Sequence, residues 1–316
     1  MQISVVIPLY NEEDSLIELH EKIISNLENL LIDYEIIFID DGSIDSSWSV
    51  IKNLCSSSKK TKGVQFLTNY GKSMALSEGF KLAKGKIVIT MDADLQDDPK
   101  EIIPLYKMIN ENNYDIVSGW KKKRYDSLIF KNFPSKLFNF AARLSSGISL
   151  NDFNCGIKAY KSDVIKEIEL TSGMHRYIPV LAKKSGFHKI AEKIVKHHPR
   201  VHGNTKYGPD RFIKGFLDLI TLSFFSRFGK RPMHFFGLFG TLILVVGFFF
   251  SIYLGIDKLF INTTGRLITE RPEFYISLAS MIIGSQFFLA GFLGELILRN
   301  SKKVKNYRIK SRLNNE

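Results

Sequence analysis

The sequence predicts an α/β protein: a mostly parallel sheet domain followed by two membrane-spanning helices. Three observations carry this reading. Short β-branched runs alternate with amphipathic segments over residues 1 to about 120, polar and acidic residues stand directly after several of those runs, and two long stretches near the C-terminus carry almost no charge. A βαβα alternation implies parallel strands covered by helices on both faces.

The strand candidates are residues 3–7, 35–39, 64–67, 87–91 and 115–117, with helical patterns between them such as 15–31 and 73–83. The run Ile87-Val-Ile-Thr-Met91 has no helical spacing, is preceded by Gly85, and gives way to Asp92-Ala-Asp94. It reads as a buried strand that ends where its carboxylates begin. Ligands of open α/β sheets bind outside the carboxyl ends of the strands, so Asp92 and Asp94 are expected at the mouth of a crevice. Two carboxylates one residue apart can share a hard divalent cation, Mg²⁺ or Mn²⁺, which takes oxygen ligands and keeps positions for a phosphate. Pro8-Leu-Tyr10-Asn-Glu12 after the first strand and Asp40-Asp41-Gly42-Ser43 after the second converge on the same edge. The second cluster also reads as a plain turn and helix cap. In Asp97-Asp98-Pro99, the favoured reading of Asp98 is a helix N-cap with proline in the first turn. Neither G-x-G-x-x-G nor G-x-x-x-x-G-K-[ST] is present, so the usual glycine-rich phosphate cradles are missing.

The 316 residues carry a net charge of +12, which calls for an anionic partner. Its location points to a membrane rather than to nucleic acid. Residues 233–254 contain one His and no charged side chain, and at ~1.5 Å per residue they cross ~30 Å of hydrocarbon. Residues 274–298 form a second such stretch. Arg227, Lys230 and Arg231 precede the first span, seven Lys and Arg residues from Arg299 to Arg312 follow the second, and the loop at about 255–273 is balanced in charge. The positive-inside rule then puts both termini and the sheet domain in the cytosol, with the basic collar facing anionic lipids. Phe212, Phe216, Leu219, Ile220 and Phe224 share one helical side and predict an interfacial helix. The expected organisation is a cytosolic domain at 1–210, an amphipathic juxtamembrane helix at 211–231, two spans within 232–298, and a basic cytosolic tail at 299–316. Gly284, Gln286, Gly291 and Gly294, with Glu295 in the second span, suggest close helix contact and a homo-oligomer.

Between these regions, Lys121-Lys-Lys-Arg124 is followed by Phe130, Phe133, Leu137, Phe140, Ala141 and Leu144 at helical spacing. This is either a face that dips into lipid headgroups or an ordinary core helix. Cys55 and Cys155 have no paired spacing, which favours a reducing compartment, and the N-terminus lacks the basic region of a signal peptide. His175, His197, His198 and His202 match no zinc pattern.

These motifs together resemble family-2 glycosyltransferases of the GT-A fold. More narrowly, Arg200-Val-His-Gly203-Asn-Thr205-Lys206-Tyr207-Gly208 is similar to the R-x-x-G-x-S-K-Y-G segment of polyprenyl-phosphate glycosyltransferases, the dolichol-phosphate mannosyltransferase group. The resemblance implies inverting transfer of a single sugar from a UDP- or GDP-sugar to undecaprenyl or dolichyl phosphate in a bacterial-type plasma membrane. It implies that Pro8, Tyr10, Glu12 and Asp40 line the nucleotide pocket, and that Asp92, Asp94 and Gln96 hold the cation and donor diphosphate. Arg200, Lys206 and Tyr207 would contact the phosphates, with His175 and Arg176 facing the same pocket. Asp152 and Lys158, in Asp152-Phe-Asn-Cys155-Gly156-Ile-Lys158-Ala-Tyr160, match the acceptor-side segment, and Asp152 would orient the acceptor or assist the cation. Several bacterial members carry an acidic residue where this chain has Gly156, so no catalytic role transfers to that position. The competing readings are a polysaccharide synthase, disfavoured because no Q-x-x-R-W motif is present, and a membrane-tethered scaffold with a decayed site, disfavoured by the intact aspartates.

Overall fold

The computed structural model describes residues 1–28, 32–122, 139–140, 142–144, 146–170, 173–199, 224, 228, 231–300 and 309–314. In chain order these form β1 (Ile3–Leu9), α1 (Leu16–Glu28), β2 (Tyr34–Asp40), α2 (Ser47–Ser57), β3 (Thr61–Phe66), α3 (Lys72–Leu82), β4 (Ile87–Thr90), α4 (Ile102–Asn112), β5 (Ile116–Trp120), β6 (Lys158–Lys161), α5 (Ser162–Glu167), α6 (Ile178–Lys184), β7 (Ile190–Ile194), α7 (Met233–Ile256), α8 (Pro272–Asn300) and β8 (Ile309–Leu313). The strands make one sheet in the order β7-β5-β6-β4-β1-β2-β3-β8. β6 is antiparallel to β4 and β5, β8 is antiparallel to β3, and the remaining pairs are parallel.

The central strands are mostly apolar because both of their faces are covered. All seven residues of β1 and all seven of β2 are buried. Val5, Ile7, Ile36 and Phe38 pack with Leu19 and Ile23 of α1, Ile51 of α2 and Leu105 of α4. Val6, Ile37 and Ile39 pack with Met74 and Phe80 of α3 and Ile178 of α6. The alternation assigns successive residues to opposite layers, each large side chain contributing roughly 2 kcal/mol by burial.

At the N-terminal edge of this sheet lies a buried ion pair. Lys62 Nζ meets Glu35 Oε2 at 2.6 Å, while Ser4 Oγ and the Lys84 N–H donate to Glu35 Oε1 at 2.5 and 2.7 Å. Gly85 N in turn donates to Ser4 Oγ at 2.8 Å, so every oxygen of the carboxylate is matched.

The chain packs as two compact units, Met1–Leu222 with Lys305–Glu316, and Ser223–Val304. The segment read as a basic tail therefore differs from expectation: β8 within it adds an edge strand to the sheet, and Asn314 Nδ2 donates to Cys55 O and Thr61 O at 2.6 and 3.1 Å. Alternating Ile309, Ser311 and Leu313 supplied a strand pattern that the surrounding charge hid.

In the second unit, α7 and α8 are long and apolar enough to cross a bilayer, with mean hydropathy 2.4 and 1.8. Their backbones meet at glycines: a Cβ on Gly240 would stand 2.7 Å from Gly284 O, and one on Gly284 would stand 2.6 Å from Leu244 N. Gly291 packs on Phe236 and Gly294 on Pro232 in the same way. The small residues read as an oligomer contact are thus occupied between the two helices of one chain. Ser251 and Ser277 bond across the pair at 2.9 Å, and Arg271 closes its far end on Asp257 at 2.6 Å.

Candidate active site

The site begins with a proline in a central strand. β1 and β4 pair from Ile3↔Ile87 to Val6↔Thr90, and Met91 N donates to Val6 O at 3.1 Å. Two residues further, Pro8 has no N–H with which to continue that ladder. β1 nevertheless stays paired with β2 as far as Leu9↔Asp40. β1 and β4 therefore part at their carboxyl ends, where the strand order reverses, which is where open α/β sheets bind ligands.

The loops flanking the crevice are stitched together. Asn11, at φ 53, donates its N–H to Ser43 Oγ and accepts from the Ile44 N–H through Oδ1, both at 2.9 Å. The Glu12 N–H donates to Ser47 Oγ at 2.9 Å, and the Ser46 N–H donates to Glu13 Oε2 at 2.7 Å. Gly42 is required at φ 75, since a Cβ there would stand 2.5 Å from the Thr68 carbonyl carbon. Tyr10 and Glu12 are half-buried at this rim. Asp40 is fully buried, accepting from the Ser43 N–H at 2.9 Å and from Gln65 Nε2 at 3.1 Å. Burial raises its pKa against those bonds. Asp41 holds the next loop through the Tyr70 and Gly71 N–H groups at 2.7 and 2.9 Å, and burial pushes its carboxyl up to about 6. Asp41 and Ser43 thus act as the turn-forming alternative anticipated for them.

Beyond β4, half-buried Asp92, Asp94 and Gln96 alternate with buried Met91, Ala93 and Leu95. Asp94 Oδ1 accepts from the Gln96 N–H at 3.2 Å, and Leu95 is held at φ 57, a costly conformation for a branched side chain. The segment 197–198 braces this turn: His197 bridges Asp97, and the His198 N–H donates to Gln96 O at 2.8 Å. Asp98 caps the short helix at Pro99, as expected, accepting from Lys100 N at 3.0 Å. Among the described residues no three His, Cys, Asp or Glu side chains converge as a metal cluster. An oxygen donor set of Asp92, Asp94 and Gln96 suits a hard cation that keeps coordination positions for phosphate and water.

Charge fixes the state of Asp92. Burial alone would raise its pKa, but the ammonium of Lys72, in direct contact, and that of Lys121 hold it at about 2. Lys121, the first residue of the basic run 121–124, is tucked in at 2.7 Å from buried Asp97. The pairing raises its pKa although burial opposes it. Lys72, Gly156, Lys158 and His175 line a cavity here. Burial, and then Lys72, push His175 well below its ordinary value, and its Nδ1 lies 3.0 Å from Ser73 Oγ. Lys158 is buried with its ammonium on Cys155 O. A Cβ on Gly156 would stand 2.4 Å from Asp92 Oδ2, so any side chain at this position would have to displace the Asp92 carboxylate. Asp152 is 1% exposed and accepts from the Asn154 N–H at 3.0 Å.

Sequence reasoning therefore reached Pro8, Tyr10, Glu12, Asp40, Asp92, Asp94, Gln96 and His175, which the fold brings to one edge. Arg200, Lys206 and Tyr207 lie outside the described residues, as do Phe212 to Ile220. Lys72 and Lys121 were missed as site residues. Lys72 carried a faint signal, a lone cation after Tyr70-Gly71 at the start of a helix. Of the aromatic stripe at 130–144, Phe140 and Leu144 are 57% and 78% exposed, while Phe130, Phe133, Leu137 and Ala141 lie outside the described residues.

Sheet order and acidic rim are those of the GT-A fold class. Residues 4–169 match Glycosyl transferase family 2. A dodecaprenyl-phosphate galacturonate synthase from Rhizobium johnstonii is 33% identical over 95% of this chain and 88% of its own length. An undecaprenyl-phosphate 4-deoxy-4-formamido-L-arabinose transferase from Edwardsiella ictaluri is 34% identical over 96% and 90%. Glucosyl-3-phosphoglycerate synthase from Mycobacterium tuberculosis, solved with Mn²⁺, uridine diphosphate and product, has a TM-score of 0.54 at 20% identity over 71% of this chain and 79% of that one, a likeness of fold. The chain belongs to glycosyl transferase family 2, in the branch of the polyprenyl-phosphate glycosyltransferases.

Proposed function

We propose that this enzyme transfers one sugar, with inversion, from a nucleotide-sugar to a polyprenyl phosphate at the cytosolic face of a bacterial-type plasma membrane. The observation that carries the proposal is the crevice opened at Pro8, with an ionised Asp92 beside Asp94 at its mouth. Relatives named for polyprenyl-phosphate transfer align over nearly the whole chain, spans included.

In this reading Tyr10, Glu12 and the loop held by Asp40 bind the nucleoside of a UDP- or GDP-sugar. Asp92, Asp94 and Gln96 would hold Mg²⁺ or Mn²⁺, which when bound would supply charge stabilisation for the departing diphosphate. Arg200, Lys206 and Tyr207 take phosphate oxygens, for which Arg offers a two-pronged fork. The acceptor phosphate, with a second pKa of about 6, arrives largely anionic and needs no strong base. The chain's task is then positioning, and Asp152 orients the acceptor or assists the cation.

β8 supports the topology. A strand of the sheet that follows α8 in the chain supports both ends of the helix pair lying on one side, and the Lys and Arg residues flanking the spans favour the cytosolic side.

The test is transfer of labelled sugar from a panel of UDP- and GDP-sugars to undecaprenyl phosphate by the full chain in lipid nanodiscs. One sugar per lipid, abolished by EDTA and restored by Mn²⁺, is the expected result. Polymer products, or donors that are bound but never yield labelled lipid, would overturn the proposal.

A further inference from the structure

Lys72 is the first residue of α3, and the turn that delivers it is fixed at the backbone. Gly71, at φ 91, and Tyr70 both donate their N–H groups to Asp41. From there the ammonium of Lys72 reaches Asp92, and each side chain is 31% exposed. Asp92 is also the carboxylate assigned above to the cation and the donor diphosphate. An ammonium in contact with that carboxylate and a divalent ion at ~2.0–2.6 Å from its oxygens repel one another, so the two compete for Asp92.

The neighbouring cations are differently placed. Lys121 is committed to buried Asp97, Lys158 is buried on Cys155 O, and His175 is held neutral against Ser73. Lys72 has the open position and a flexible four-carbon stem with a point charge at its tip.

We propose that Lys72 is an exchangeable counter-ion: it neutralises Asp92 while the donor site is empty, then leaves it for the donor diphosphate when cation and nucleotide arrive. The exchange keeps an ionised, half-buried carboxylate compensated in both states, and it moves a positive charge onto the leaving group when one is needed. The inference rests on the proposed function. It adds a prediction of opposite signs, because removing the ammonium frees Asp92 for metal yet deprives the diphosphate of a partner.

The test compares full-length wild type with Lys72→Met and Lys72→Gln. Mn²⁺ binding without nucleotide is read from the electron paramagnetic resonance of free Mn²⁺, and UDP and GDP binding at saturating Mn²⁺ is read by calorimetry. Both neutral variants are expected to bind Mn²⁺ alone about 2–5-fold more tightly, the range of a partly exposed ion pair. They are expected to bind the preferred nucleotide about 10-fold or more weakly, as the loss of a hydrogen bond to charge dictates. Lys72→Arg keeps the charge and should stay near wild type in Mn²⁺ affinity. Unchanged or weaker Mn²⁺ binding in a folded neutral variant, or unchanged nucleotide affinity, overturns the exchange. If wild type itself binds no Mn²⁺, and Asp94→Ala alters nothing, it is the metal reading that has failed.

Discussion

The two ends of the sheet use acidic residues in opposite ways. At the N-terminal edge Glu35 is fully buried, and Lys62, Ser4 and the Lys84 amide match its oxygens inside the protein. At the C-terminal edge Asp92 and Asp94 are half-buried, just beyond β4, where its pairing with β1 ends short of Pro8. The partner of Asp92 is a long side chain in contact with solvent. A carboxylate enclosed by its partners serves stability, whereas one balanced by a replaceable ammonium stays available to a ligand. Placement relative to the strand ends, more than residue type, separates the two roles.

Substitution at each end sharpens this contrast. Asp94→Ala should lower sugar transfer by about 10³-fold or more, the scale set by losing electrostatic stabilisation of a leaving group, with the thermal midpoint almost unmoved. Glu35→Ala should do the reverse. It strands the Lys62 ammonium in a buried site and should cost about 3–5 kcal/mol in urea unfolding, while transfer per folded molecule is retained. An unstable Asp94→Ala, or an inactive but stable Glu35→Ala, would break the comparison.

The same contrast governs what was legible in the sequence. The central strands were readable because burial on both faces demands runs dominated by apolar and β-branched residues, as in Ile3 to Ile7 and Ile87 to Met91. The acidic rim was readable because Asp92 and Asp94 follow such a run directly. β6, β7 and β8 were not, since Lys158-Ala-Tyr-Lys161 and Ile190-Ala-Glu-Lys-Ile194 lie toward the sheet's margin with polar residues among the apolar ones, and β8 sits in a basic stretch. Lys72 and Lys121 escaped because a lone lysine declares nothing until the fold supplies its carboxylate, in both cases from the segment that follows β4. The glycines of α8 were legible as contact points, but their partner proved to be α7 of the same chain.

The smallest expected effect concerns Asp41, which stands between the two extremes: buried like Glu35, yet holding the turn that presents Lys72. Burial raises its pKa to about 6, although the Tyr70 and Gly71 amides pull it down. In the unfolded chain it titrates near ~3.9, so between about pH 4 and 6 the folded protein binds a proton that the unfolded chain does not. Its contribution to stability therefore falls as pH rises across that window and is flat above it. Donor binding should follow the opposite slope, because a protonated Asp41 accepts the two amides more weakly and loosens the turn before Lys72. Affinity for the nucleotide-sugar is the informative readout, since its diphosphate diester has no proton to exchange near pH 6, unlike the acceptor phosphate. A few-fold loss of affinity from pH 7.5 to 5.5, accompanied by a small rise in the stability share of this group, is the expected pair of slopes. Asp41→Asn should flatten both, with affinity near the acid value throughout. Asp92, held at about 2, stays ionised across the whole range and cannot produce this limb. A wild-type affinity independent of pH between 5.5 and 7.5 would show that the turn does not depend on the charge of Asp41, and would leave Asp41 on the structural side of the comparison with Glu35.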